Sequence, residues 1–195
     1  MIKAIIFDCF GVLTTDGWEP FKDVNFKNDT EARDEAGRIL SLANRGKISY
    51  QQMLSMLSKL SDIPPSIIDS QLSMNHANLA LYKYIESKLK PKYKIGLLSN
   101  VSRDRLHDLF SDDQLGLLDE VVLSYEIGAI KPDARAYIVA AERIGYMPEE
   151  CVFIDDRDYF VRGAQNVGMY GIQYKDFEFM KIELEKILEV SNTNK

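Results

Sequence analysis

Lys3-Ala4-Ile5-Ile6-Phe7-Asp8-Cys9-Phe10-Gly11-Val12, near the start of the chain, is an apolar run that stops on a carboxylate. The run at 3–7 is continuous rather than alternating, the pattern of a strand covered by helices on both faces of a parallel sheet. Four more short runs of this kind follow, at 94–98, 120–123, 151–154 and 170–174. Helical patterns separate the later ones, at 103–110, 134–144 and 160–167, with Gly145 and Gly168 placed where helices stop. Strand and helix alternate from about residue 91 onward, which predicts an α/β domain on a doubly wound, Rossmann-like parallel sheet.

Residues 17–88 read differently, with several helix starts and no convincing strand. Asp29 or Thr30 can cap a helix that runs to Gly46. Ser49-Tyr50-Gln51-Gln52 fits a capping box ahead of Met53, Leu54, Leu57 and Leu60. Pro65 suits the first turn of a helix, and Asn75 leads towards Leu79, Leu81, Tyr82, Ile85 and Leu89. The expectation is an inserted all-helical cap domain at 17–88, with 1–16 and 89–195 forming the α/β core domain. The tail reads as an amphipathic helix at 177–190 followed by a frayed end at 191–195.

Composition narrows the partners. A chain of 195 residues with 46% hydrophobic and 28% charged residues is an ordinary globular protein with room for a substantial core. Its formal net charge of −6, with no long run of one sign, points away from nucleic acid and anionic membrane, which both attract clustered Lys and Arg. The apolar run at the N-terminus is too short for a signal peptide, and no stretch approaches the ~20 apolar residues of a membrane span. Cys9 and Cys151 lie in or beside apolar runs and read as reduced core thiols, so the protein is expected in the cytoplasm.

The polar residues of interest fall at the C-terminal ends of the expected strands, the edge where open parallel sheets bind ligands. Asp8 ends the first strand, Asp155 and Asp156 follow Val152-Phe153-Ile154, and Ser99-Asn100 follow Ile95-Gly96-Leu97-Leu98. Lys131 lies in the loop Gly128-Ala129-Ile130-Lys131-Pro132-Asp133. Singly, each has an ordinary explanation: a helix cap, a turn or a solvated loop charge. Together they make more sense as a site. Three neighbouring carboxylates repel unless a hard cation sits among them, and oxygen ligands suit Mg²⁺. A carboxylate, a cation, a hydroxyl and an amide at one edge make a receptor for a phosphoryl group.

In these motifs the chain resembles the haloacid dehalogenase superfamily, hydrolases with an inserted cap, over essentially its whole length. The family's D-x-D-G-[TV] motif reads Asp8-Cys9-Phe10-Gly11-Val12, and its apolar run ending in Ser or Thr reads Gly96-Leu97-Leu98-Ser99-Asn100. The Lys motif reads Gly128-Ala129-Ile130-Lys131-Pro132-Asp133, and the acidic pair reads Phe153-Ile154-Asp155-Asp156. The resemblance implies that Asp8 attacks phosphorus and forms an aspartyl phosphate. It implies Mg²⁺ held by Asp8, the Phe10 carbonyl and Asp156, with Asp155 direct or through water. Ser99 and Lys131 hold the phosphoryl oxygens, with Asn100 and Gly11 in the same cradle. The implied partner is a small phosphorylated metabolite, acted on by a monomer or small homo-oligomer.

The sequence departs from the pattern at Phe10, where phosphatases and mutases of the family carry the Asp that protonates the leaving group. Three readings stay open. The first is a phosphatase like the capped sugar-phosphate branch that also lacks this Asp, of which Arg45-Gly46-Lys47-Ile48-Ser49 is reminiscent. The second is a metal-free 2-haloacid dehalogenase, against which Asp155-Asp156 stand. The third is a catalytically weak protein that binds a phosphorylated ligand or a partner. Asp16 is an alternative proton donor. A second departure is Phe160, where many relatives carry Asn. Cys151 to Arg157 fits the C-x5-R pattern of cysteine phosphatases, but Asp155 and Asp156 inside it repel phosphate. His76 and His107 read as ordinary residues, and Trp18, Phe21 and Tyr50 as candidates for the pocket lining.

Overall fold

The computed structural model describes residues 1–103 and 105–193. Its strands, β1 (Ala4–Phe7), β2 (Lys94–Ser99), β3 (Glu120–Leu123), β4 (Cys151–Asp155) and β5 (Tyr170–Gln173), form one sheet in the order β3-β2-β1-β4-β5. Every pairing is parallel. The central strand β1 pairs Phe7 with Leu97 of β2 and with Ile154 of β4, so Asp8 emerges level with Asp155 and one step short of Ser99. Strand order turns back on either side of β1, and this switch point is where such sheets leave a crevice for ligand.

The two faces of the sheet are divided by the two-residue period of the strands. Ile5, Phe7, Leu97 and Ile154 point to one side, against Leu81 and Ile85 and against Met180 and Leu184 of the C-terminal helix. Ala4, Ile6, Leu98 and Phe153 point to the other, against Tyr137, Ala140, Ala141 and Ala164. The helices that supply these residues are α5 (Leu79–Tyr84) with the π-helical turn Ile85–Leu89, α9 (Ala134–Ile144), α10 (Asp158–Asn166) and α11 (Phe177–Thr193). Because β1 and β4 are covered on both sides, all their residues are buried. That is why their sequences run apolar without alternation.

A separate apolar cluster joins α1 (Trp18–Asn25), α2 (Thr30–Asn44), α3 (Tyr50–Ser61) and α4 (Pro65–Ser73) through Phe21, Ile39, Met53, Leu57 and Ile68. Asp29, not Thr30, caps α2: its side chain accepts from the Ala32 N–H at 2.9 Å. Ser49 and Gln52 form the expected capping box, with bonds of 3.2 and 2.8 Å. Within the stretch 17–88, Leu81, Tyr82, Tyr84 and Ile85 pack with the sheet rather than with this helical cluster.

Several segments differ from their sequence pattern. The helix expected at 103–110 shrinks to α6 (Leu106–Leu109), with Arg105 as its non-helical N-cap and the Arg105 guanidinium donating to the Leu72 carbonyl. Two short helices, α7 (Asp112–Leu115) and α8 (Ser124–Ile127), are too brief for a periodic signal. The final helix runs on to Thr193, where a frayed end was expected from residue 191, and residues 194–195 lie outside the described residues. Among the described residues no helix is long and apolar enough to cross a membrane.

Two linkers join the helical cluster to the sheet, and they are laced to each other. Thr15 N–H donates to the His76 carbonyl at 3.1 Å, while His76 N–H donates to the Thr15 hydroxyl at 2.9 Å. Asn78 is the junction. Its N–H donates to the Leu13 carbonyl at 2.9 Å and its side-chain N–H groups to the Val12 carbonyl and Tyr174 hydroxyl at 3.0 and 2.8 Å. Its Oδ1 also caps α5 by accepting from Leu81 N–H at 3.2 Å. Asn78→Ala removes all the side-chain bonds at once and should cost about 1–3 kcal/mol of stability in urea unfolding. A change within about 0.5 kcal/mol, the level of an ordinary surface substitution, would refute that role.

Candidate active site

The crevice at the C-terminal edge of β1 is built around one buried ammonium. Lys131 is only 1% exposed, and its Nζ lies 2.7 Å from Asp8 Oδ1 and 2.6 Å from Asp155 Oδ2. Asn100 fixes the backbone behind it: Oδ1 accepts from Lys131 N–H at 2.8 Å and Nδ2 donates to the Lys131 carbonyl at 3.1 Å. The rings of Phe160 and Phe153 sit 4.9 and 5.2 Å from Nζ, a cation–π contact that gives Phe160 a role at Lys131. Tyr137 in turn donates to the Phe160 carbonyl at 2.7 Å.

Asp8 is set by its strand. Its N–H donates to the Ile154 carbonyl at 2.8 Å, continuing the ladder with β4, and its Oδ1 accepts from Cys9 N–H at 2.7 Å. The chain then turns tightly, with Thr14 N–H donating to the Cys9 carbonyl at 2.9 Å and Gly11 N–H to the Thr14 carbonyl at 2.7 Å. Gly11 has a φ of +85°, and a Cβ there would come within 2.7 Å of the Asp156 carboxyl carbon. Only glycine permits both the turn and the close approach of Asp156.

Asp8, Asp155 and Asp156 each bring one oxygen to within 4.8 Å of the others. Both oxygens of Asp155 are engaged, Oδ2 by Lys131 and Oδ1 by the Arg157 N–H at 2.9 Å. Asp156 Oδ1 is buried with no hydrogen-bond partner among the described residues. Burial, then the charge of Asp155, pushes the Asp8 carboxyl up against the opposing pull of Lys131. Asp156 is pushed up to about 6 by burial and then by Asp155. Burial alone would lower Lys131, but the charges of Asp155 and Asp8 outweigh it and raise it. One ammonium among three carboxylates leaves negative charge in excess. A divalent cation with oxygen ligands fits this donor set and would take up the unpartnered Asp156 oxygen.

A cavity of roughly 820 Å³, counting its open mouth, lies between this edge and the helical cap. Asp8, Phe10, Asn100 and Lys131 line its floor, and Trp18, Tyr50 and Met53 come from the cap. Phe21, a candidate for the lining, instead stacks on Trp18 inside the cap with ring centroids 5.6 Å apart. Ser99 sits at the expected edge, but it lines a smaller cavity with Cys9 and Phe10, and its Oγ is buried without a hydrogen-bond partner among the described residues. Phe10 is half-buried and borders both cavities.

Arg157 and Arg105 carried no sequence signal, since only tertiary contacts bring them here. Arg157 bridges to Asp16 at 3.1 Å and to Glu19 of α1 at 3.4 Å. Those pairings also dispose of the C-x5-R pattern. Arg157 is committed to carboxylates, and the Cys151 thiol is pushed up to about 12 by burial and then by Glu150 and Glu149. His76 serves the linker, and exposed His107 lies 3.6 Å from Asp112, remote from the cavity lining.

Known proteins resemble this chain in sequence and fold. The profile of the haloacid dehalogenase-like hydrolases matches residues 2–168. A glyceraldehyde 3-phosphate phosphatase of Methanopyrus kandleri is 42% identical over 65 residues, which span 33% of this chain and 28% of that protein. A phosphatase of Mycobacterium tuberculosis is 27% identical over 86% of this chain and 85% of its own length. Among solved structures, a family enzyme of Bacteroides thetaiotaomicron, in complex with magnesium and inorganic phosphate, superposes with a TM-score of 0.71 at 22% identity. That overlap covers 91% of this chain and 98% of the other.

The Asp156 carboxyl makes the cation fit measurable. Raised from 3.8 to about 6, it holds its proton more tightly in the folded protein than in the unfolded chain. Its contribution to stability is full below about pH 4 and is lost as pH climbs through about 6. Mg²⁺ competes with that proton, so its stabilising effect should grow across the same window. At saturation the melting temperature should rise by roughly 5–10 °C near pH 7.5 and by clearly less near pH 5. Asp156→Asn should remove most of the gain. An equal rise at both pH values, or one untouched by the substitution, would place the cation elsewhere.

Proposed function

The chain belongs to the haloacid dehalogenase-like hydrolases, and we propose that within them it is a magnesium-dependent phosphatase of a small phosphorylated metabolite. The observation that carries this reading is the cluster at the end of β1. Asp8 shares a buried Lys131 with Asp155, and an Asp156 oxygen beside them has no partner among the described residues. The dehalogenase alternative needs no metal and leaves that oxygen unexplained. The phosphatases among the relatives, and the fold relative that holds magnesium and phosphate, point the same way.

Asp8 attacks phosphorus in line with the ester oxygen. The new Asp8 O–P bond forms as the P–O ester bond breaks, and the leaving alkoxide takes its proton from water. Water then attacks the aspartyl phosphate, which releases inorganic phosphate and restores the carboxylate. Asp8, the Phe10 carbonyl and Asp156 would hold Mg²⁺, and Asp155, whose oxygens are both engaged, would act through water. When bound, the ion supplies charge neutralisation for an anionic nucleophile meeting an anionic ester. Lys131 aims Asp8 and offers its remaining N–H to a phosphoryl oxygen. Asn100 keeps Lys131 in place through its backbone, and Ser99 supplies a hydroxyl at the same edge.

The weak step is leaving-group protonation. Phe10 has no proton to give, and Asp16 uses both oxygens as acceptors, Oδ1 from Trp18 N–H at 2.8 Å and Oδ2 from Arg157 at 3.1 Å. The rate should therefore depend steeply on the acidity of the leaving alcohol.

Asp8→Asn should abolish phosphate release while circular dichroism stays native, a drop of at least about a hundredfold. A smaller loss would remove Asp8 from the nucleophile's role. In a series of phosphate esters, aryl substrates such as p-nitrophenyl phosphate should turn over far faster than alkyl ones. Phe10→Asp should then accelerate the alkyl esters selectively, by up to ~10²–10⁴. If instead Asp16→Asn selectively slows the alkyl esters and Phe10→Asp changes little, Asp16 is the acid.

A further inference from the structure

The cations of the cap–core cavity are not equally provided for. Lys131 lies between Asp8 and Asp155 at 2.7 and 2.6 Å. Arg157 meets Asp16 and Glu19 at 3.1 and 3.4 Å. Arg105 lines the same cavity, is only 8% exposed, and has no carboxylate partner among the described residues. One of its terminal N–H groups donates to the Leu72 carbonyl of α4 at 3.1 Å, and its Nε–H is buried with no partner among the described residues. A guanidinium cannot shed its charge, and burying one beside a lone neutral acceptor is costly. The fold tolerates this cost in a cavity that is open to a ligand.

We propose that Arg105 recognises a carboxylate on the substrate, at the end remote from the phosphoryl group, so that the preferred substrates are phosphorylated carboxylic acids rather than neutral phosphate esters. This inference rests on the phosphatase reading and names the class of substrate that reading left open. A carboxylate matches the planar fork of a guanidinium. A second phosphate fits less well, because the cavity already carries Asp8, Asp16 and the acidic pair at its edge and tolerates one added negative charge better than two. Trp18, Met53, Leu72 and Val101 supply apolar wall for the carbon chain between the two ends.

The test uses the full-length protein with Mg²⁺ and a series of phosphooxy carboxylic acids of increasing chain length, each paired with its neutral amide. For the best-fitting length, KM for the acid should lie about tenfold to a hundredfold below that of the amide, the value of a hydrogen bond to a charged group. Arg105→Met should collapse that ratio towards unity through KM, and Arg105→Lys should restore part of it. A purely structural Arg105 would change both members of each pair alike. The wild-type comparison stands even if Arg105→Met does not fold. Phosphate release with no preference for the acid, or a preference that Arg105→Met leaves in place, overturns the inference alone. A stronger preference for bisphosphates than for any acid does the same. Failure to release phosphate from every ester, p-nitrophenyl phosphate included, overturns the phosphatase reading and this inference with it.

Discussion

A single buried ammonium organises the edge of the sheet. Lys131 is almost wholly withdrawn from water, yet it stays charged because Asp8 and Asp155 approach it from two adjacent strands. An ammonium taken out of water without partners would be intolerable, so the register between β1 and β4 and the position of the 128–133 loop are tied together by one charge. Asn100 closes the arrangement from β2 by holding both backbone groups of Lys131. Segments far apart in the chain thus meet at one atom, Nζ. A buried pair of this kind is weak evidence of stability and better evidence of purpose. A well-packed apolar side chain would serve the core as well, but it would leave the Asp8 and Asp155 oxygens without the donor they share.

The cap is fastened over this edge by contacts of unequal weight. Arg45 meets Asp133 at 2.7 Å and Arg103 reaches Asp69 at 3.6 Å, both partly exposed pairs of small value individually. The buried contact matters more. Ser124 donates to the Asn44 carbonyl at 2.6 Å and accepts from Val101 N–H at 2.9 Å, which links the end of α2 to the loop after β2. Gly46 lets the same corner close, since a Cβ there would meet the Tyr125 carbonyl oxygen at 2.8 Å. Arg157 joins the clamp from the core side, at Asp16 and Glu19.

Phe10 and Phe160 mark where the chain trades polar chemistry for apolar packing beside the reacting edge. Phe160 covers Lys131 with its ring, and Phe10 borders both cavities. Each lowers the local dielectric around Asp8 and Lys131, which raises the worth of their ion pair. The same substitution removes a side chain that could carry a proton. The motif pattern the chain resembles is thus met at Asp8 and at Asp155-Asp156 and departed from at Phe10 and Phe160.

Much of this was legible in the sequence, for a definite reason. Continuous apolar runs follow from burial on both faces, and carboxylates that end such runs must surface at the edge where the strands stop. Residues 3–8 and 151–156 therefore gave the central strands and two corners of the site. The capping box at Ser49 and the glycine at 145 are likewise local signals, fixed by hydrogen bonds within a few residues. Other features have no local cause. Nothing around Arg105 distinguishes it from a surface arginine, and only the folded chain brings it to the Leu72 carbonyl. Phe21 reads like Trp18 and Tyr50, but the packing of α1 against the cap turns it inward. Asn100 reads as a turn residue until Lys131 arrives from thirty-one positions away. Sequence alone settled which residues form strands and which charges end them, because those depend on near neighbours and on burial. Only the tertiary structure decided which charges found partners and which were left for a ligand, because desolvation and ion pairing depend on what distant segments bring into contact.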